Sequence, residues 1–384
     1  MKTFYILPVI LLCFTACAQN NENNDASTLP STDETYTAYE PTPIFSLNDY
    51  LSDNAQLTQK VEEVFNALDS RQKIAQLIMP AMGRLGQPTD TINQLVKDGL
   101  IGGILLLNGT KDEFTNWVNQ YNSWNDSLGY VPFLYSADAE PSLVNRKIAN
   151  STPVAKANTL TSKNEVISVA NTITDDLNDI GINYNFAPVV DMSPNKTVGW
   201  RSFGHQPDSV IPWSNAFIQA SQDKQVIATA KHFPGHGFVE GDTHKKLVYI
   251  NGEMKEVKNY PPVIDAGVLS VMIAHIAVKN NENFSTDDQP ASISKKIVTD
   301  LLRDSLNFEG LIVTDALNMG GVSFIPDAEV LAIKAGCDII LMPLNARLAH
   351  KKLLAEYKEN EETKVIIDAA VRRIIRAKIC LNLF

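Results

Sequence analysis

From about residue 76 onward, short apolar runs recur, separated by stretches in which apolar and charged residues alternate at helical spacing. The runs are QLIMPAM (76–82), GGILLL (102–107), PFLYSAD (132–138), INYNFAPVVD (182–191), VIATAKHF (226–233), VMIAHIAV (271–278), GLIVTD (310–315) and DIILMP (338–343). Most are continuously apolar rather than alternating, the pattern of parallel strands covered on both faces. The clearest helix is the last, KVIIDAAVRRIIRAKI (364–379). It sets Ile367, Ala370, Val371 and Ile374 on one face and Lys364, Asp368, Arg372 and Arg376 on the other. The first run is ambiguous, because RQKIAQLIM (71–79) also carries a helical pattern. Strands alternating with helices in this way predict an α/β fold, a (β/α)8 TIM-type barrel forming a single domain over 44–384. No short fixed-period repeat is present, which argues against a solenoid.

The segment ahead of the barrel has a different character. Lys2 precedes a short apolar run, FYILPVILLCF (4–14), and FTAC ends at Cys17. The run is too short and too early for a membrane-spanning helix. It resembles a bacterial lipoprotein signal occupying 1–17, in which the thiol of Cys17 is acylated; an ordinary secretory signal is the alternative. Residues 18–43, AQNNENNDASTLPSTDETYTAYEPTP, are nearly devoid of aliphatic side chains and read as a disordered tether. The expectation is a protein of the bacterial cell envelope, on the periplasmic or outer surface, held to a membrane by an N-terminal lipid.

Composition narrows the chemistry. Of 384 residues, 44% are apolar and 20% charged, enough for a sizeable core, and the net charge of −11 argues against a nucleic-acid partner. Cys13 and Cys17 belong to the signal. Cys337 and Cys380 are far apart and read as isolated core thiols, and no CxxC spacing supports a zinc site.

Barrel sites are built where strands end. Asp138 closes the third run, Asp191 the fourth, Lys231 and His232 the fifth, and Asp315 the seventh, so these polar groups are expected to converge on one rim and bind a polar ligand. The densest stretch is KHFPGHGFVEGDTHKKL (231–247), with three of the six histidines. A metal cage does not suit it: Pro234, Gly235 and Gly237 oppose a helix carrying His232 and His236, and no HExxH occurs. His236 reads as a brace hydrogen-bonded to backbone, with direct catalysis as the alternative. Asp242 precedes His244 by two residues. A carboxylate so placed accepts from one imidazole nitrogen, fixes the tautomer and leaves the other nitrogen to exchange a proton, which makes an acid/base dyad on a loop that could swing toward substrate. His275, alone in an apolar run, reads as a satisfied core group. His205 is either a pocket or a surface residue, His350 a surface residue, and Asp191 an orienting group for neighbours such as Lys231.

With these residues in view, KHFPGHGFVEGDTH resembles the signature of glycoside hydrolase family 3, in its β-N-acetylhexosaminidase branch. GLIVTDALNM resembles the family's nucleophile segment, and FAPVVDMSPNKTVGWRSFG its sugar-binding segment. The similarity runs from about Arg71 to Lys378. The resemblance implies that Asp315 is the nucleophile and that His244 with Asp242 is the acid/base. It implies also that Lys231, His232, Arg201, Asp138 and Arg146 bind sugar. The chain departs from the family where a glycine pair is replaced by Pro141-Ser142 in DAEPSLV, which bears on loop shape.

Glycoside cleavage takes one group at the anomeric carbon and one that protonates the leaving oxygen. The resemblance therefore implies a retaining exo-β-N-acetylglucosaminidase, monomeric, needing no metal or organic cofactor. Its carbohydrate substrate would be peptidoglycan fragments or related amino-sugar oligosaccharides. A β-glucosidase or β-xylosidase of the same family, an N-acetylglucosaminide phosphorylase, and a non-catalytic sugar-binding lipoprotein are the alternatives.

Overall fold

The computed structural model describes residues 44–192, 194–196 and 198–384. The signal, with Cys13 and Cys17, and the tether lie outside the described residues. Those described form eight parallel strands closed into a ring: β1 (Ile78–Met79 with Ala81–Met82), β2 (Gly103–Leu106), β3 (Leu134–Ala137), β4 (Tyr184–Asn185), β5 (Ile227–Phe233), β6 (Ser270–Ile273), β7 (Leu311–Thr314) and β8 (Ile340–Leu341). Pro80 divides β1 into halves that face different neighbours. Ile78 and Met79 pair with Ile340 and Leu341 of β8, and Ala81 and Met82 pair with Leu105 and Leu106 of β2. The ring closes between β7 and β8 through the Val313–Ile339 bridge. The expected (β/α)8 barrel is the observed fold.

Local sequence accounts for the elements. The ambiguous first run resolves into a helix, Ser70–Gln76, followed by a strand from Ile78. Asp69 caps that helix by accepting from Gln72 N at 2.8 Å, and the Gln72 side chain accepts from Asp69 N at 3.0 Å. Lys111–Leu128 starts on the Thr110 cap and stops at Gly129, φ 65°, a left-handed backbone that glycine adopts without strain. The fourth run pairs as a ladder only over Tyr184–Asn185, because Pro188 brings no N–H to its continuation. The sixth run is two strands rather than one. β6 stays in the ring, while Ile276–Lys279 leaves it and pairs in parallel with Val248–Asn251.

The last helix, Glu361–Cys380, buries Ile367, Ala370, Val371 and Ile374 as its pattern predicts. Its other face holds the start of the described chain. Arg372 pairs with Glu62 at 2.6 Å, and Arg376 donates to the carbonyls of Tyr50 and Ser52. Leu47 N donates to Gln225 Oε1, just before β5 begins, so this segment lies on the base of the barrel, where strands start. Lys378 is wholly buried there, its ammonium 2.6 Å from Gln76 Oε1 and 2.9 Å from Gly102 O. Cys337 and Cys380 are free, buried thiols. His350 is buried, contrary to expectation. It shares the inward face of Ala346–Glu359 with Ala349 and Leu353, and its Nε2 lies 3.0 Å from Arg71 O. Among the described residues no helix is long and apolar enough to cross a membrane.

Candidate active site

Successive side chains on a strand point to opposite faces, yet Lys231 and His232 both line one cavity at the C-terminal end of the barrel. The register explains this. Between the pairs Val271–Ala230 and Ile273–Phe233, β6 spends one residue, Met272, against two on β5. This bulge turns both side chains toward the mouth. The Lys231–His232 and Phe233–Pro234 peptides are cis.

Lys231 is nearly fully buried and sits between two carboxylates, 2.5 Å from Asp138 Oδ1 and 2.6 Å from Glu140 Oε1. Burial favours its neutral form, but the two acids outweigh it and raise its pKa. Asp138 also takes Lys147 Nζ at 3.1 Å. Burial pushes its carboxyl up, and Lys231, Lys147 and Arg201 together hold it well below the usual range. Glu140, completely buried, grips Arg201 with both oxygens, at 2.8 Å to Nε and 2.6 Å to Nη2. The result is a chain of alternating charge, Lys147–Asp138–Lys231–Glu140–Arg201, spanning the segments after β3 and β4 and the end of β5. The Pro141-Ser142 departure adds a clip to it. Ser142 Oγ donates to Trp200 O at 2.8 Å and accepts from Ala157 N at 2.9 Å, tying the loop after β3 to the loop that carries Arg201.

Behind this wall stands Asp191. It takes His232 Nδ1 at 2.6 Å and the backbone N–H of His236 at 2.8 Å, so it orients the two histidines rather than Lys231. Burial raises the Asp191 carboxyl, and His232 and His236 together more than reverse that, so it stays ionised and acceptor-only. His232 Nδ1–H therefore donates to it, and His232 Nε2 faces Arg201 Nη2 at 3.5 Å. His236 is buried, which lowers its pKa, as does His232. Its ring also meets side chains. It lies 3.2 Å from Thr243 Oγ1 and 3.5 Å from the Asn195 amide nitrogen. Glu256 lies beneath, accepting from the amides of Met192 and Gly237, and burial beside Asp191 pushes its pKa up to about 8.

On the opposite side, Asp315 follows β7, its N–H bonded to Ile273 O and its Oδ1 accepting from Ala316 N at 2.8 Å. Burial raises its carboxyl; His275, His232, the Ala316 amide and His244 together bring it below the ordinary value. His275 is a satisfied core group, between Ser292 Oγ at 2.7 Å and Ala316 O at 3.0 Å. The loop 241–247 brings in the dyad. Asp242 Oδ1 lies 2.7 Å from His244 Nδ1 and 3.0 Å from His244 N. Burial raises the Asp242 carboxyl, and the bonds from His244 lower it further than burial lifts it. The His244 proton on Nδ1 is thus engaged, and Nε2 is left for a ligand.

The cavity holds about 580 Å³. Asp315, His244 and Asp242 line it together with Asp138, Lys231, His232 and Arg201. Arg146 reaches it from an exposed position at the mouth, and Leu85, Leu107, Met319 and Met342 supply an apolar side. His205 is exposed and is not among the lining residues. Glu140, Lys147, Thr243 and Glu256 were not singled out from sequence. Glu140 lies within the altered DAEPSLV stretch and Lys147 follows it closely. Glu256 lies in EMKEVKNY, a stretch with no pattern that points to the site. Among the described residues no group of three His, Cys, Asp or Glu side chains is arranged to hold a metal ion.

Fold and site together define a (β/α)8 barrel with a charged cavity where its strands end. Residues 70–377 match the model of the glycosyl hydrolase family 3 N terminal domain, and the chain belongs to that family. Beta-hexosaminidase A from Pseudoalteromonas piscicida is 35% identical over 198 residues, which are 47% of this chain and 33% of that protein. Among solved structures, a glycoside hydrolase family 3 β-N-acetylglucosaminidase from Paenibacillus sp. str. FPU-7 superposes with a TM-score of 0.76 at 28% identity, covering 83% of this chain and 63% of that one. The β-N-acetylhexosaminidase from Beutenbergia cavernae gives 0.72 at 27% identity, covering 81% and 98%. Between a third and about half of the length of the first curated relatives is spanned by the match.

Proposed function

We propose that the chain is a retaining exo-β-N-acetylglucosaminidase that removes a terminal N-acetylglucosamine from amino-sugar oligosaccharides such as peptidoglycan fragments. The names of the relatives support the sugar, and one observation carries the chemistry: Asp315 and His244 line the same cavity, with His244 near enough to lower the Asp315 carboxyl. In the first step Asp315 attacks the anomeric carbon as the glycosidic bond breaks, and the doubly protonated His244 gives its Nε2 proton to the departing oxygen. In the second step water attacks the same carbon, His244 takes its proton, and the Asp315–sugar bond breaks. Asp242 steadies the imidazolium in its proton-loaded form. Asp138, Lys231, Arg201 and His232 hold the ring hydroxyls and amide, with Arg146 at the entrance.

Turnover of chromogenic N-acetylglucosaminide, glucoside and xyloside, each in phosphate and in a non-nucleophilic buffer, tests this reading. Release of free N-acetylglucosamine at a rate independent of phosphate is expected. Preference for glucoside or xyloside, a sugar phosphate product, or no turnover overturns it. For localisation we propose that Cys17 carries a lipid that holds the protein in the cell envelope. Incorporation of labelled fatty acid that disappears in Cys17→Ala is the expected result, and equal labelling of both forms refutes it.

A further inference from the structure

We propose that Thr243 is a positioning residue that latches the acid/base loop against the nucleophile's loop before substrate arrives. The inference rests on the reading of His244 as the general acid. Thr243 stands between two residues that face solvent or cavity. Its relative exposure is 2%, against 64% for the His244 side chain.

Three bonds hold the loop here. Thr243 Oγ1 meets His236 Nε2 at 3.2 Å, Gly321 N donates to Thr243 O at 2.9 Å, and Gly320 N donates to His244 O at 3.0 Å. His236 and Glu256 fix one side of this contact, and the segment just after Asp315 supplies the other. The loop's flanks are also fixed, since Val239 and Val248 are buried with Ala274 and Ile276 in a small apolar cluster of their own.

The approach is closer than any side chain allows. A Cβ at Gly320 would stand 2.5 Å from Lys245 O and 2.6 Å from Lys245 C, backbone atoms with nowhere to yield. A Cβ at Gly321 would stand 2.9 Å from His275 Cβ. Two adjacent glycines thus admit the dyad loop to within hydrogen-bonding distance of the nucleophile's loop. A loop secured at three points and at both flanks does not have to be recruited by each substrate. The geometry of acid and nucleophile is set on folding, so catalysis gains from preorganisation rather than from closure.

The test compares two N-acetylglucosaminides, a dinitrophenyl glycoside whose leaving group needs no proton and an alkyl glycoside whose leaving group does. The variants are Thr243→Val, which keeps the branched shape and removes the hydroxyl, Gly320→Ala, which pries the loops apart, and His244→Ala as the reference. Thr243→Val and Gly320→Ala are expected to lower kcat about 10- to 100-fold on the alkyl glycoside, part of the effect of losing a general acid. On the dinitrophenyl glycoside kcat/KM, which reports the first step alone, should stay within about threefold, and Thr243→Ser should restore most of the alkyl rate. Melting curves identify a variant that fails to fold, and Gly320→Ala then decides alone. Parent-like rates on both substrates, or equal losses on both, overturn the latch while the general-acid reading stands if His244→Ala is selective. Loss of that selectivity in His244→Ala itself brings down the general-acid reading and the latch with it.

Discussion

Glu140 and Arg201 meet fork to fork, two oxygens on two nitrogens at 2.8 and 2.6 Å, with the carboxylate wholly buried and the guanidinium nearly so. Glu140 is not among the cavity-lining residues. Its part is to hold Arg201 and Lys231 in place, so removing it should hurt binding and folding together.

Glu140→Gln keeps the shape and removes the charge. Arg201 would then be buried without its partner, a change that costs about 3–5 kcal/mol when a buried pair is broken on one side. The expected outcome is a melting temperature lowered by several degrees and a raised KM for the N-acetylglucosaminide, with a smaller effect on kcat. Differential scanning calorimetry and steady-state kinetics on the same preparation check both.

Lys147, rather than Arg146, reaches Asp138, and it does so from inside the cavity. Lys147→Met should raise KM on the order of 10- to 100-fold, the worth of a charged hydrogen bond, and Lys147→Arg should recover part of it. Arg146→Met, at the exposed mouth, should raise KM less. Substrate saturation curves for the three variants decide which cation grips the sugar.

On the proposed function, Asp315→Ala removes the group that attacks the anomeric carbon. The expected loss in kcat is on the order of 10⁴-fold or more, with melting behaviour close to that of the parent. Progress curves on the dinitrophenyl glycoside measure it, and because that leaving group needs no acid they isolate the attack step.

Lys378 gives a pH signature in stability. Burial lowers its pKa from 10.5 to about 7. Below pH 7 both folded and unfolded chains carry the proton, and the folded state bears the buried charge. Between 7 and 10.5 the unfolded chain binds more protons, so stability rises with pH. Above 10.5 both are neutral and the penalty is gone. Lys378→Met should therefore compare more favourably with the parent at pH 6 than at pH 10, by a few kcal/mol at most, with about 1–3 kcal/mol of any gain offset by the acceptors Gln76 Oε1 and Gly102 O losing their donor. Urea titrations at the two pH values read the difference directly.

What could be read from the sequence follows from the kind of signal each residue leaves. Continuous apolar runs exposed the barrel, and strand ends marked Asp138, Asp191, Lys231, His232 and Asp315. The register shift that lets Lys231 and His232 share one cavity is a property of pairing, and no spacing within β5 announces it. Glu140 was hidden by its neighbours, since an acid between Ala139 and Pro141 reads as loop. Glu256 is distant in the chain from the amides it serves. His350 did leave a trace: with Ala346, Ala349, Leu353 and Tyr357 it falls on the inward stripe of its helix. The break in the sixth run came from His275, whose ring is committed to Ser292 and Ala316 O where a longer barrel strand would continue.

The described chain begins on the underside of the barrel, where Leu47 meets Gln225 and Asn382 meets Phe45. Within the barrel, residue 44 thus sits at the floor, and the opening ringed by Asp315 and His244 lies at the other end. On the proposed function, a sugar would therefore enter from the end of the barrel away from residue 44.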